Sequence, residues 1–425
     1  MTKNFKMRWL SLFTLRTNHH NQNLLDIPFL NLKTLYGIAM KKIFLFIFLL
    51  LPIFSFCDVL SRKQYLEDIA SLEEILKYYC ISYDTIQKSG RFDMNKKIRE
   101  LKNENMNFLF PCDFFDTLCD AFDNIPDHHI TFSYLGEERL LWNKEFKRLG
   151  ESYPALIENS RQLYLSLTDF RARDSSENAK RFEKLDLSRF DIIIFDLRGN
   201  PGGEFDAAAR IFSKLCGLTY NEFDRFNICE KILLHSESPY YSYLKTSLKL
   251  SKKEIKKIEK GKVLVKKLSH SGAWLHIDKG NRAFIGDIFI LVDGGTASSA
   301  EVFTILLKQN FKNITILGIE SAGAYSYGGV LPAILPNSGI IINVTQFQTL
   351  AGLLQKDFLD SEEGLQPDFL TESVGELQSA LFKRGVSENI IEMISDSCYV
   401  NDKDMKTVLT NLTNDKELEH RDFTK

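Results

Sequence analysis

Cysteine is scarce in this chain, with seven in 425 residues and no two of them in C-x-x-C spacing. That excludes a disulfide-dense scaffold and leaves no structural zinc pair. Ten prolines and 23 glycines are too few for a low-complexity or collagen-like chain. No apolar run reaches the roughly 20 residues that a membrane-spanning helix needs. An excess of one charge is also missing: 54 Lys and Arg stand against 56 Asp and Glu, a net charge of −2. Such a balance gives no global electrostatic reason to expect nucleic acid as a partner. What remains is an ordinary globular composition, 44% hydrophobic and 26% charged, long enough for a large core.

The charge is unevenly spread. Residues 1–57 hold seven basic residues and only Asp26 as an acid, which leaves −8 for residues 58–425. Met40-Lys41-Lys42 precedes IFLFIFLLLPIFSFC. A short basic stretch, an apolar run and small residues at Ser55 and Cys57 spell a secretory signal peptide over 40–57. Export with cleavage after Cys57 is the expectation. Acylation of Cys57, which Phe56 disfavours, and an uncleaved anchor are the alternatives, and either would be the chain's only link to a membrane. Residues 1–39 are then expected to precede the true start at Met40. The location implied is the periplasm or cell envelope, or secretion. Export would also permit pairing among the six other cysteines, with burial as small apolar residues the competing reading.

Residues 58–125 carry helical periodicity in KQYLEDIASLEEILKYYC and FFDTLCDAFDNI, and read as a helical N-terminal domain that ends at Pro126. From about residue 160 strands and helices alternate. RQLYLSLTDF reads as a strand. FDIIIFDL and DIFILVD are continuous apolar runs, as expected of strands buried on both faces. Each of these two runs into a glycine-rich turn and then an amphipathic helix. NITILGIE and GIIINVTQF supply further strands, so the core over 126–371 is predicted to be α/β. The basic stretch 247–268 reads as a solvated surface helix and strand. Residues 372–425 read as a helical tail.

Three places carry chemistry. Asp196-Leu-Arg198-Gly-Asn200-Pro-Gly202-Gly203 joins a buried strand to a helix through a turn rich in exposed N–H groups. It suits an anion or an oxyanion, and equally a plain packing turn. It is neither G-x-x-x-x-G-K-[ST] nor G-x-G-x-x-G, so nucleotide binding has no support. Gly294-Gly-Thr-Ala-Ser298-Ser299-Ala-Glu301 sets a serine at a strand–helix junction. Ser298 there is either a nucleophile or an N-cap whose capping box Glu301 completes. Asp127-His128-His129-Ile-Thr131 places a histidine pair in a turn, as a base for a serine or as a surface feature.

Taken together and in this order, these segments resemble the tail-specific (C-terminal processing) serine protease superfamily, on its tricorn-core and retinoid-binding-protein side. DLRGNPGG resembles its Asp-Leu-Arg-x-Asn-x-Gly-Gly signature and GGTASSAE its nucleophile turn. IPDHHITF resembles the Asp-x-His-Thr element of the tricorn-like branch. GIESAGAYSYGG, which contains Glu320, resembles the following Gly-Glu loop, and GLQPD the final Gly-x-x-Pro-Asp. The resemblance spans about 125–370. It implies a ClpP/crotonase-like ββα core, a peptide or protein substrate and no cofactor or metal. It also implies Ser298 as nucleophile, His129 as base and an oxyanion hole from Gly202 or Gly203 with Ser299. Asp196, Arg198, Asn200 and Glu320 are implied as supporting residues. Glu362 or Glu363 is the carboxylate implied behind the base, and His128 is given a structural place.

Two departures stand out. The processing proteases use a lysine base, but Ala324 occupies that position and no lysine lies between Lys312 and Lys356. The interval from 129 to 163 is also too short for an inserted PDZ domain. The function expected is an exported serine-type peptidase with a Ser–His arrangement. The alternatives are a non-catalytic protein on the same fold holding a peptide or apolar ligand, and acyl transfer on a CoA thioester. The mature protein is expected to begin at Asp58, and its intact mass or N-terminal sequence checks this; a start upstream of Met40 would remove the leader assignment.

Overall fold

The computed structural model describes residues 59–105, 108–141, 147–149, 154–218, 228–236, 238, 241–268, 283–351 and 363–395. The leader 1–39, the signal-like run 40–57 with Cys57, and residues 396–425 lie outside the described residues. Among the described residues no helix is long and apolar enough to cross a membrane.

The described residues open on four helices, α1 (Arg62–Tyr79), α2 (Tyr83–Ser89), α3 (Met94–Asn103) and α4 (Pro111–Ala121). Local sequence explains their starts. Ser61 caps α1 and forms a capping box with Gln64, and Pro111 sits in the first turn of α4, where its missing N–H costs nothing. A two-residue bridge, β1 (Leu60–Ser61) with β2 (Phe108–Leu109), ties this layer together.

Two six-stranded sheets follow. The first contains β5 (Ala155–Asn159), β6 (Gln162–Ser166), β7 (Ile192–Asp196), β10 (Asp287–Val292), β11 (Ile314–Gly318) and β14 (Phe369–Leu370), in the order β14-β11-β10-β7-β6-β5. All neighbours are parallel except the β5–β6 pair. The second is antiparallel. It runs β4 (Glu137–Leu140), β3 (Thr131–Tyr134), β13 (Ile341–Thr349), β8 (Cys229–Leu234) and β9 (Leu264–Lys267), with β12 (Tyr327–Ile334) paired to β13.

The parallel sheet is covered on both faces, which is why its strands read as unbroken apolar runs. Ile193 and Phe195 of β7 pack toward α5 (Arg173–Glu183), α6 (Asp206–Leu215) and α9 (Ser299–Asn310). Ile192 and Ile194 point the other way, onto α10 (Val374–Phe382) and α11 (Glu388–Ser395). Each such aliphatic side chain contributes about 1.5–3 kcal/mol on burial. The basic stretch forms α7 (Tyr241–Ser247), α8 (Lys252–Glu259) and β9 at the surface, with Ile258 the buried residue of α8. The predicted α/β core is therefore present, and residues 374–382 and 388–395 of the predicted tail are helical.

The helical layer shares one apolar core with the antiparallel sheet. Tyr65, Ile69, Phe114 and Phe122 pack with Phe132 of β3, Leu331 of β12 and Ile342 and Val344 of β13. A buried carboxylate fixes that docking. Asp68 of α1 accepts both the N–H and the side-chain amide of Asn337, each at 2.9 Å, and the Ser338 N–H at 2.8 Å. None of the five described cysteines, Cys80, Cys112, Cys119, Cys216 and Cys229, is in a disulfide, and all but Cys112 are buried. Asp68→Ala leaves those donors without their acceptor. It is expected to lower the unfolding free energy by about 3 kcal/mol, measured by urea denaturation of the full chain.

Candidate active site

Strands β7 and β10 are parallel neighbours, so their C-terminal ends lie side by side and each feeds a glycine-rich turn. This is the edge of an α/β sheet at which ligands ordinarily bind. Several hydrogen bonds lock the two turns together. The Leu197 N–H donates to the Leu291 carbonyl at 2.9 Å and the Ala297 N–H to the Asn200 carbonyl at 2.8 Å. The Thr296 hydroxyl donates to the Leu197 carbonyl at 2.8 Å. Asp293, which the sequence reading passed over, is wholly buried and accepts the N–H groups of Gly199, Gly295 and Leu149 at 2.8, 2.9 and 3.1 Å. Its signal was a polar residue ending an otherwise apolar strand.

Ser298 sits at the end of the second turn, as N-cap of α9, with φ 53° and ψ −119°. A non-glycine residue at positive φ is strained and is held there by its surroundings. Its N–H donates to Glu301 Oε2 at 2.9 Å. Glu301 is fully buried and also takes the Gly323 and Ala324 N–H groups, at 2.7 and 2.8 Å, and the Ser321 hydroxyl. Burial pushes the Glu301 carboxyl up to about 7, while the donors from Ser321, Gly323, Ala324 and Ser298 hold it down. Ala324, at the position of the processing proteases' lysine, is thus tied by its main chain to the nucleophile helix.

His129 lies just ahead of β3, on the other sheet. Its Nε2 is 3.0 Å from Ser298 Oγ across 169 residues of chain. Asp127 Oδ1 accepts the His129 N–H at 3.1 Å and lies 3.7 Å from Nδ1. That bond from Asp127 to the residue two positions on turns His129 toward the serine, while His128 is buried at 7% exposure. The structure therefore brings Ser298 and His129 together and adds Asp127, which the sequence reading left without a role. Glu362 lies outside the described residues. Glu363 is exposed and precedes Gly364, whose N–H donates to Glu320 Oε1 at 2.6 Å.

The first turn supplies the rest. Asn200 donates its side-chain amide to the Leu167 carbonyl at 2.6 Å and accepts the Gly202 N–H at 2.8 Å. Gly202, expected as an oxyanion donor, has thus spent its N–H. Its role is steric: a Cβ there would meet Ala297 O, Ser298 Cβ and Ser299 N, each at 2.8 Å, and its φ is +90°. No described residue accepts a hydrogen bond from the N–H of Gly203 or Ser299, and the Ser299 hydroxyl donates to the Gly203 carbonyl at 2.7 Å. Arg198 and Asp196 form a buried pair at 2.6 Å, joined by the Tyr164 hydroxyl at 2.7 Å. Burial alone would lower the guanidinium's pKa, but Asp196 outweighs it and raises it. Arg198 also donates to the Leu149 and Ile394 carbonyls, so it braces the first turn against α11.

A cavity of about 430 Å³ opens beside His129, Ser298, Ser299 and Gly203, and Phe205, Ile228, Val302 and Phe347 give it apolar walls. Tyr327–Val330 of β12 line it too. Among the described residues, no cluster of three His, Cys, Asp or Glu side chains is arranged to hold a metal.

The sequence profile of peptidase family S41 matches residues 161–371. This segment is an S41 peptidase domain. The S41 domain holds Ser298 and both glycine-rich turns, and His129 reaches it from outside the matched segment. Solved structures similar to the chain include mature CPAF complexed with lactacystin, at 11% identity and a TM-score of 0.45, covering 79% of this chain and 99% of that one. A lipoprotein from Streptococcus agalactiae is 15% identical with a TM-score of 0.37, covering 76% and 97%. The photosystem II D1 C-terminal processing protease is 18% identical with a TM-score of 0.29, covering 57% and 48%. No curated protein sequence matches the chain.

An acid whose folded pKa lies above its unfolded value binds protons on folding. Glu301's contribution to stability is therefore fully present below its ordinary value of 4.5 and is lost as the pH rises through about 7. The difference in unfolding free energy between wild type and Glu301→Gln is expected to fall across that window and to be flat on either side, as read by denaturant titration at each pH.

Proposed function

We propose that the chain is an exported serine peptidase of the tail-specific type, working through a Ser298–His129 pair. The observation that carries this reading is the 3.0 Å separation of His129 Nε2 and Ser298 Oγ at the mouth of the cavity.

In this mechanism Ser298 Oγ attacks the scissile carbonyl carbon as Nε2 takes its proton. The carbonyl oxygen becomes an oxyanion facing the Gly203 and Ser299 N–H groups. Each such donor is typically worth about 100- to 1,000-fold in rate. The imidazolium then protonates the leaving amine, the C–N bond breaks, and an ester to Ser298 remains. Water, deprotonated by His129, hydrolyses that ester and restores the serine. The carboxylate we place behind the imidazole is Asp127, whose buried negative charge favours the imidazolium formed in each half-reaction.

A peptide substrate suits the surroundings. Among the described residues β12 pairs with β13 alone and so forms an edge of its sheet, and its Tyr327–Val330 segment borders the cavity. An extended peptide laid along that edge would gain main-chain hydrogen bonds and present alternate side chains to the apolar walls. Export fits the signal-like run at 40–57, and a membrane enters this reading only through that run or a lipid on Cys57. Nucleic acid has no place in it.

A non-catalytic binding protein on the same fold would have no use for a strained serine aligned with an imidazole. Ser298→Ala is expected to abolish covalent labelling by a fluorophosphonate, and His129→Ala to slow it roughly 100- to 10,000-fold, with both variants folded by circular dichroism. Labelling of Ser298→Ala at the wild-type rate would leave the binding-protein reading in place.

A further inference from the structure

The Asp127 carboxylate is wholly buried, and its two oxygens face different ways. Oδ1 takes the His129 N–H and looks toward Nδ1. Oδ2 takes the Thr345 hydroxyl at 2.6 Å. An ionised carboxylate only accepts, so the single hydroxyl proton of Thr345 goes to Asp127. Fixing both oxygens fixes the plane of the carboxylate, and so the direction of the charge that meets the imidazole.

Thr345 is itself held from two sides. It lies on β13, two residues beyond the pairing of Thr131 with Asn343, so the antiparallel register carries it opposite the 127–129 turn. On the other side comes the turn between α1 and α2 of the helical layer. The Ile81 N–H donates to the Thr345 carbonyl at 2.8 Å, and Cys80 Sγ lies 3.8 Å from Thr345 Oγ1. Burial, and then the charge of Asp127, push the Cys80 thiol up to about 11. The thiol therefore keeps its proton, and its sulfur lies between the Thr345 hydroxyl and the Ser82 hydroxyl, the latter at 3.1 Å.

β-Propensity alone would accept valine at this buried strand position as readily as threonine. The hydroxyl is what the site uses. We propose that Thr345 is a positioning residue for His129, acting through Asp127, with the Cys80–Ser82 turn of the helical layer setting where Thr345 stands. This rests on the reading of Ser298 and His129 as nucleophile and base.

The test uses the full-length chain and a fluorophosphonate, which forms a Ser298 Oγ–P bond as fluoride leaves and His129 takes the serine proton. Thr345→Val is expected to lower the maximal inactivation rate roughly ten- to hundredfold. The inhibitor concentration giving half that rate should stay within about twofold, because probe binding does not involve Thr345. Thr345→Ser, which keeps the hydroxyl, should label near the wild-type rate. In an Asp127→Ala background Thr345→Val should add nothing, since the two act in series. If Thr345→Val does not fold, Thr345→Ala takes its place with the same expectations.

A wild-type rate for Thr345→Val overturns the proposal. So does a Thr345→Ser protein as slow as Thr345→Val, or an undiminished effect in the Asp127→Ala background. The underlying reading fails separately, if His129→Ala labels as fast as wild type.

Discussion

The candidate site depends on how one buried carboxylate is satisfied. Asp293 directly follows β10 inside the protein, where an ionised group without donors would be costly. Its donors come from three segments: Gly199 of the first glycine-rich turn, Gly295 of the second, and Leu149 of the connection before β5. Neither turn can move without stripping a donor from that charge. The serine and the glycines around it are therefore placed by a shared acceptor as much as by their own backbone preferences. Arg198 acts in the same way one layer deeper, joining its Asp196 partner to the Leu149 and Ile394 carbonyls.

Ser298 inherits the strain that this arrangement leaves over. The sequence allowed two readings of its turn, a nucleophile or a helix cap with Glu301. The structure shows how one residue serves both. Glu301 accepts the Ser298 N–H as a capping partner does, and its remaining acceptor capacity goes to Ser321, Gly323 and Ala324. The serine side chain, for its part, also meets His129. Residues 321–324 thus support the Ser298 turn from the place where the processing proteases keep a lysine base.

What could be read in advance follows from locality. β7 and β10 announced themselves because a strand buried on both faces must be apolar throughout, and the turns after them by their glycines: Gly199, Gly202 and Gly203 hold positive φ, and a Cβ on Gly295 would meet the Arg148 side chain. The helices α1, α4, α6 and α9 were visible in their periodicity. Much less of the antiparallel sheet was visible. The short β3 and β4, and β12 with its two glycines, carry no comparable pattern, and β3 is joined to the sheet by Ile341–Asn343 of β13, about 210 residues away. Thr345 illustrates the limit. Within GIIINVTQF it is an ordinary strand threonine, and only the register of β13 against β3 brings it to Asp127. Gly202 shows the opposite error. Its motif suggested a donor, but Asn200 two residues earlier had already claimed the N–H.

His129 is the clearest case of a site assembled from distant pieces. Residues 161–371 contain the serine, both glycine-rich turns and the carboxylate that locks them, yet they contain no histidine within reach of Ser298 in the described structure. His129 is delivered by the turn that joins the helical layer to β3. That turn is held by a core shared between the helices and the antiparallel sheet. The two histidines in it are chemically identical, and composition cannot choose between them. The choice is made by Asp127, whose hydrogen bond to the main chain two residues on fixes which ring turns outward. The helical layer is accordingly tied to the candidate site: it carries the chain to His129, and its Ile81 N–H meets the Thr345 carbonyl on the strand that holds Asp127.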